Sequence, residues 1–143
     1  VMTGYINPRR LPGEGLHDGW FETGDVGRLE ADGTLTVVGR ADDVFVSGGE
    51  NIHPAEVERV MAACPGVREV AVSARPDPVW GDRLVALVIG DVSPDDVEHW
   101  CRGHLHGARR PREFHSVATL PRNAMGKLDR KALSESMRHR SRE

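Results

Sequence analysis

Residues 84–89 read Leu-Val-Ala-Leu-Val-Ile, an apolar run with no polar interruption. A strand of that kind offers water no face, so it belongs in the centre of a sheet covered on both sides. Helical repeats supply the cover. Pro54 stands at the favoured first position of a helix, Val57, Val60, Met61 and Cys64 follow at helical spacing, and Pro65-Gly66 ends it. Ser93-Pro94-Asp95-Asp96 opens a second helix, with a hydroxyl cap and acids at the positive end of the dipole. Its apolar stripe is Val97, Trp100, Cys101, His104 and Leu105. A third helix is capped by Asp129 and carries Leu133 and Met137 on one face. Residues 67–73 alternate as a strand and residues 114–120 supply another, so the core is a central three-stranded sheet with flanking helices.

The first 34 residues behave differently. Gly4, Pro8, Pro12, Gly13, Gly15 and Gly19 punctuate a stretch with no helical period, which cannot bury a core of its own. A turn at Ala31-Asp32-Gly33 leads into a strand over 34–38, which pairs with a strand over 43–47 in a short β-hairpin. The expectation is therefore a small α/β (α+β) domain over 41–143, preceded by residues 1–40 as the edge of a larger domain. The opening at Val1, in turn-rich sequence without an initiator Met, points the same way.

Composition narrows the class. With 29% charged and 38% hydrophobic residues in 143, the chain has the balance of a globular protein. A net charge of −3 gives no electrostatic footprint for nucleic acid, and the basic finish at 138–142 reads as a solvated helix end. No apolar run approaches the roughly 20 residues that span a bilayer, and no signal peptide opens the chain, so the expected location is cytoplasmic. Cys64 and Cys101 fall inside apolar helical patterns and read as buried thiols of a reducing compartment. His99, Cys101, His104 and His106 invite a metal reading, but His99 and Cys101 do not share a helix face, so no metal site is expected.

Three segments carry chemistry. In Gly19-Trp20-Phe21-Glu22-Thr23-Gly24-Asp25-Val26-Gly27, the Asp25 carboxylate sits on a glycine-flanked turn and can accept hydrogen bonds from vicinal hydroxyls, or simply brace the turn. In Gly39-Arg40-Ala41-Asp42-Asp43 through Ser47-Gly48-Gly49-Glu50-Asn51-Ile52-His53-Pro54, paired glycines let a backbone approach a ligand, or form an ordinary connection. They are no Walker loop, since its lysine is absent. In Pro121-Arg122-Asn123-Ala124-Met125-Gly126-Lys127-Leu128-Asp129-Arg130, Lys127 lies on a mobile glycine-containing loop, either to meet an anion or to face solvent.

The order and wording of these segments resemble the C-terminal signatures of the acyl-adenylate-forming superfamily, covering nearly the whole chain from Met2 to Leu133. Ala55-Glu56-Val57-Glu58 and Asp77-Pro78-Val79-Trp80-Gly81-Asp82 agree as well. The form Ser47-Gly48-Gly49-Glu50-Asn51-Ile52 is more similar to the acyl-CoA synthetase branch than to peptide synthetases; His53 departs from the aromatic many relatives carry. The resemblance implies an enzyme that joins a carboxylate to AMP and then passes the acyl group to a thiol, using ATP, Mg2+ and CoA. Its small C-terminal domain rotates between the steps. It implies Asp25 and Arg40 as nucleotide-binding, Asp42 as the hinge, Lys127 as catalytic in adenylation, and Gly48, Gly49 and Glu50 as the loop of the thioester step. The family's phosphate loop and acyl pocket are missing from this sequence, so the chain alone is expected to be inactive, and fatty, aryl and short dicarboxylic acids all stay open. Alternatives are an adenylation domain that loads a carrier protein and a stand-alone binding module. Lys127 also has the setting of a regulatory acetylation site, so an acetyltransferase and a deacetylase are possible partners.

Overall fold

A computed structural model of the chain describes residues 16–140, with side chains from 18 to 137. Gly4, Pro8, Pro12, Gly13, Gly15 and the side chains of the basic finish lie outside the described residues. The chain forms two compact units, the first ending at Asp42 and the second beginning at Asp43.

The first unit is made of two ribbons. Strand β1 (Leu16–His17) pairs with β2 (Trp20–Phe21) through a turn in which Asp18 and Gly19 have φ of 49° and 82°, the signs a tight hairpin turn demands. Strand β3 (Asp25–Leu29) pairs antiparallel with β4 (Leu35–Arg40), bringing Asp25 opposite Arg40. The intervening turn is closed by Asp32, whose Oδ1 accepts from the Thr34 amide at 2.9 Å. Val38 is buried, while Trp20, Leu29, Leu35 and Val37 stay exposed, Trp20 at 81%. Among the described residues of these ribbons, Val38 is the buried hydrophobic residue.

The second unit is a sheet between helices. Strands β5 (Phe45–Ser47) and β6 (Glu50–Ile52) form a hairpin, β7 (Val67–Asp77) and β8 (Gly81–Gly90) a longer one, and β9 (Glu113–Ser116) runs parallel to β8. The three expected core strands are present, and the short hairpin joins them through one pairing, Ser47 with Gly81, to make five strands in the sheet. Side chains alternate along β8 as its composition requires. Leu84, Ala86 and Val88 pack with Val57 and Met61 of α1 (Pro54–Ala62) and with Val97 and Cys101 of α2 (Pro94–His104). Val85 and Leu87 pack on the other face with Leu133 and Met137 of α3 (Arg130–Arg140). Each fully buried aliphatic chain of this kind contributes about 1.5–3 kcal/mol. The caps are where sequence puts them: Ser93 Oγ accepts from the Asp96 amide at 3.1 Å, and Asp129 Oδ1 from the Ala132 amide at 3.0 Å.

Three details differ from expectation. The strand at 35–40 pairs with upstream β3 rather than with 45–47, which folds instead onto β6. Each strand instead pairs across a locally closed turn, one held by Asp32 and the other made by Gly48 and Gly49. His104 is exposed rather than buried; its ring stacks on Trp100 with centroids 4.0 Å apart. Strand β9 stops at Ser116, after which Val117 and Leu120 pack irregularly against the α3 side of the sheet. Among the described residues no helix is long and apolar enough to cross a membrane.

Candidate functional site

In the first unit the nucleotide-binding candidates meet at one guanidinium. Arg40 Nη1 donates to Asp25 Oδ1 at 3.2 Å and to the Thr23 carbonyl at 2.7 Å, and its Nε donates to Asp42 Oδ1 at 3.2 Å. The hydrogen bonds to Asp25 and then Asp42 push the Arg40 pKa above its ordinary value. Gly24 makes this possible: it has φ of 73°, and a Cβ there would stand 2.8 Å from Arg40 Nη2. The Asp25 carboxylate is half-exposed with one oxygen on Arg40, so its second oxygen is open to a hydroxyl. Asp25, Arg40 and Asp42 thus form one cluster, which their sequence separation alone does not reveal.

In the second unit Gly48 and Gly49 form the two-residue turn between β5 and β6, with φ of 57° and 82°. The turn is docked rather than free. The Gly48 amide donates to the Trp80 carbonyl at 2.8 Å, and a Cβ on Gly48 would meet the Trp80 ring at 3.1 Å. Arg112 places its guanidinium 4.9 Å from the centre of that ring. Gly49 faces open space. Glu50 is exposed and reaches towards the turn at Gly107, where an added Cβ would lie 3.6 Å from its Oε1.

The Lys127 segment forms a hairpin braced by its own hydrogen bonds. Asn123 Oδ1 accepts from the amides of Met125 and Lys127, both at 3.0 Å, and the Asn123 amide donates to the Lys127 carbonyl at 2.8 Å. Gly126 supplies the left-handed residue at φ of 77°. Arg122 donates to the Gly126 carbonyl at 2.8 Å and also pairs with Glu69 on β7, tying the hairpin to the sheet. Lys127 is exposed, and among the described residues no carboxylate pairs with its ammonium.

The hairpin of Lys127 and the turn of Gly48 occupy opposite ends of the same strands. Ser47 pairs with Gly81 at the start of β8, whereas Glu69 pairs with Ile89 near its end. The eight residue steps from Gly81 to Ile89 at about 3.3 Å each span about 26 Å.

Sequence reasoning missed three partners. Trp80 and Arg130 stand only inside quoted segments with no role of their own, and Arg112 stands in none. Arg130 forks onto Glu58 at 2.9 and 2.8 Å and bonds Asp43 at 3.1 Å. Residues this far apart give no local pattern; for Trp80 and Arg130 the signal is their position inside the quoted segments, and for Arg112 there is none. Among the described residues no group of His, Cys, Asp or Glu side chains converges to hold a metal, His99, Cys101, His104 and His106 included. Cys101 is fully buried, and burial, reinforced by Cys64, pushes its thiol up to about 12.

Comparison with known proteins gives a consistent setting. Residues 56–127 match the family model of the AMP-binding enzyme C-terminal domain. A 2-succinylbenzoate–CoA ligase of Listeria monocytogenes is 39% identical over 94% of the chain, and a long-chain-fatty-acid–CoA ligase, FadD13, of Mycobacterium tuberculosis is 37% identical over 94%. The structure of o-succinylbenzoate CoA synthetase from Bacillus subtilis, in complex with its acyl-adenylate intermediate, superposes with a TM-score of 0.83 at 38% identity over 93% of the chain. The chain spans 29%, 27% and 28% of these proteins, respectively.

Proposed function

Because this chain belongs to the AMP-binding enzyme C-terminal domain family, we propose that it is the rotating C-terminal part of an ATP-dependent, AMP-forming carboxylate–CoA ligase. In the first half-reaction a carboxylate oxygen attacks the α-phosphorus of ATP, and the bond to the bridging oxygen of pyrophosphate breaks. In the second, the CoA sulfur bonds to the acyl carbon and AMP leaves with the electron pair of the broken C–O bond. ATP carries Mg2+ with it in this reading, and residues 1–40 are the edge of the adenylating domain that binds the acid. The exposed Trp20, Leu29, Leu35 and Val37 support that assignment, since a larger partner sheet would cover them.

The placement of the Lys127 hairpin and the Gly48-Gly49 turn towards opposite ends of β8, whose Gly81 and Ile89 are about 26 Å apart, is the observation that carries the reading. Bringing a carboxylate to a polyphosphate sets anion against anion. The Lys127 ammonium, held on a braced hairpin and paired with no carboxylate among the described residues, offsets that repulsion and steadies charge on the phosphoryl oxygens. The thioester step needs a different neighbour, a backbone turn narrow enough for a thiol arm to pass, and Gly48-Gly49 with Glu50 supplies it. Asp25 holds the ribose, positioned by Arg40. Relatives acting on 2-succinylbenzoate and on long-chain fatty acids make these the first acids to assay. Acetylation of Lys127 would remove the charge and silence the first step.

The test is Lys127→Ala in the intact ligase. Adenylation, followed by pyrophosphate release, falls by about 10²–10³, while thioester formation from supplied acyl adenylate is retained. Equal loss of both half-reactions refutes the two-ended mechanism.

A further inference from the structure

The backbone that carries the Lys127 side chain is hydrogen-bonded at every polar group. The Gly126 amide donates to the Asn123 carbonyl at 2.9 Å, and the Gly126 carbonyl accepts from Arg122 Nη1 at 2.8 Å. The Lys127 amide donates to Asn123 Oδ1 at 3.0 Å, and the Lys127 carbonyl accepts from the Asn123 amide at 2.8 Å. Arg122 and Asn123 thus partner all four backbone polar groups of Gly126 and Lys127. The second arm of the Arg122 fork, Nη2, donates to Glu69 on β7. We propose that Glu69 and Arg122 are positioning residues of the adenylation step, fixing the backbone from which the Lys127 ammonium projects. The proposal rests on the adenylation role of Lys127 and deepens it.

Strand β7 is shaped to present Glu69 to this hairpin. Its pairing with β8 slips between Val67 and Glu69. Val67 and Val70 pack on the α1 and α2 side of the sheet, whereas Ala71 packs on the α3 side. In an unbroken strand Val67, Glu69 and Ala71 would share one face. The slip lets Val67 enter the α1–α2 core while Glu69 stays on the side of Ala71, where Leu120 and Leu128 root the two ends of the hairpin. Bulges re-aim side chains in this way. The brace bears on rate because a lysine stem is flexible, so a backbone that also swings spreads the ammonium over more positions. Freeing one residue of backbone dilutes the productive placement about tenfold. The planar guanidinium holds its two acceptors in fixed directions. The Arg122 and Glu69 side chains are 47% and 45% exposed, so their ion pair adds little to stability and its loss is read in turnover instead. Direct contact of Arg122 with the polyphosphate would give the opposite sign: removing Glu69 would then free the guanidinium for the anion and lower the KM for ATP.

The experiment uses the intact ligase carrying Glu69→Ala, Lys127→Ala or both, with pyrophosphate release and thioester formation from supplied acyl adenylate followed separately. Glu69→Ala lowers the kcat of adenylation about tenfold with the KM for ATP unchanged. It leaves the thioester step at its original rate and the melting temperature within about 3 °C. In the double variant Glu69→Ala adds no loss to that of Lys127→Ala, because it acts through that side chain. Losses that multiply in the double variant overturn the proposal, and so does a Glu69→Ala enzyme whose KM for ATP falls. Equal loss of both half-reactions with a lower melting temperature overturns it as general loosening. Adenylation lost in Lys127→Ala but undiminished in Glu69→Ala removes the brace and leaves the role of Lys127 standing. Adenylation undiminished in Lys127→Ala removes that role and the brace with it.

Discussion

Gly48 and Gly49 are adjacent, both left-handed and both in the same turn, yet alanine at the two positions should cost different amounts. At Gly49 the φ of 82° is the only obstacle, because nothing lies within 4 Å of an added Cβ. A left-handed alanine costs about 1–2 kcal/mol. At Gly48 the same backbone cost applies, and the Cβ also meets the Trp80 ring at 3.1 and 3.2 Å and the Ala108 Cβ at 3.4 Å. The ring has little room to retreat: its own backbone carbonyl accepts from Gly48, and Arg112 stands over it. Overpacking of that kind adds about 1–3 kcal/mol, so Gly48→Ala should be the more destabilised by this amount. Urea denaturation of the chain, followed by tryptophan fluorescence, reads the gap directly. With a slope of about 2 kcal/mol/M, the midpoint of Gly48→Ala falls below that of Gly49→Ala by about 0.5–1.5 M. A Gly49→Ala midpoint equal to or below that of Gly48→Ala would refute the docking of the turn on Trp80.

Two further outcomes follow from the geometry. Gly24→Ala brings a methyl to within 2.8 Å of Arg40 Nη2 in a left-handed backbone, so the guanidinium must shift from its place beside Asp25. The KM for ATP in the intact ligase should rise about tenfold with little change in the other half-reaction, and an unchanged KM removes Arg40 from the nucleotide site. For Cys101, burial holds the folded thiol at about 12 while the unfolded one titrates near its ordinary value of about 8.5. The folded state therefore resists ionisation that the unfolded state accepts. Its contribution to stability is full below about pH 8.5 and is lost progressively as pH rises towards 12. Thiol-directed alkylation at pH 8 should spare Cys101 in the native protein and label it after denaturation; rapid native labelling contradicts the burial.

The local sequence determined what depends on neighbours along the chain. The six apolar residues of β8 demanded cover on both faces and received it from α1 and α2 on one side and α3 on the other. Pro54, Ser93 and Asp129 marked helix starts because a missing amide and a side-chain oxygen act within one turn. The glycines of the Gly48-Gly49 and Gly126 turns were equally plain. Position decided the rest. His104 lies at a core spacing but at the last turn of α2, where the packed stripe has run out, so it turns to stack on Trp100. Which strand joined which at 25–52 depended on competing turns rather than on the strands themselves. Only the tertiary structure could bring Arg130 to Glu58, 72 residues away, or set Lys127 and Gly48 at opposite ends of β8. Those relations are made by long-range packing of a sheet and its helices, and no window of sequence contains both partners.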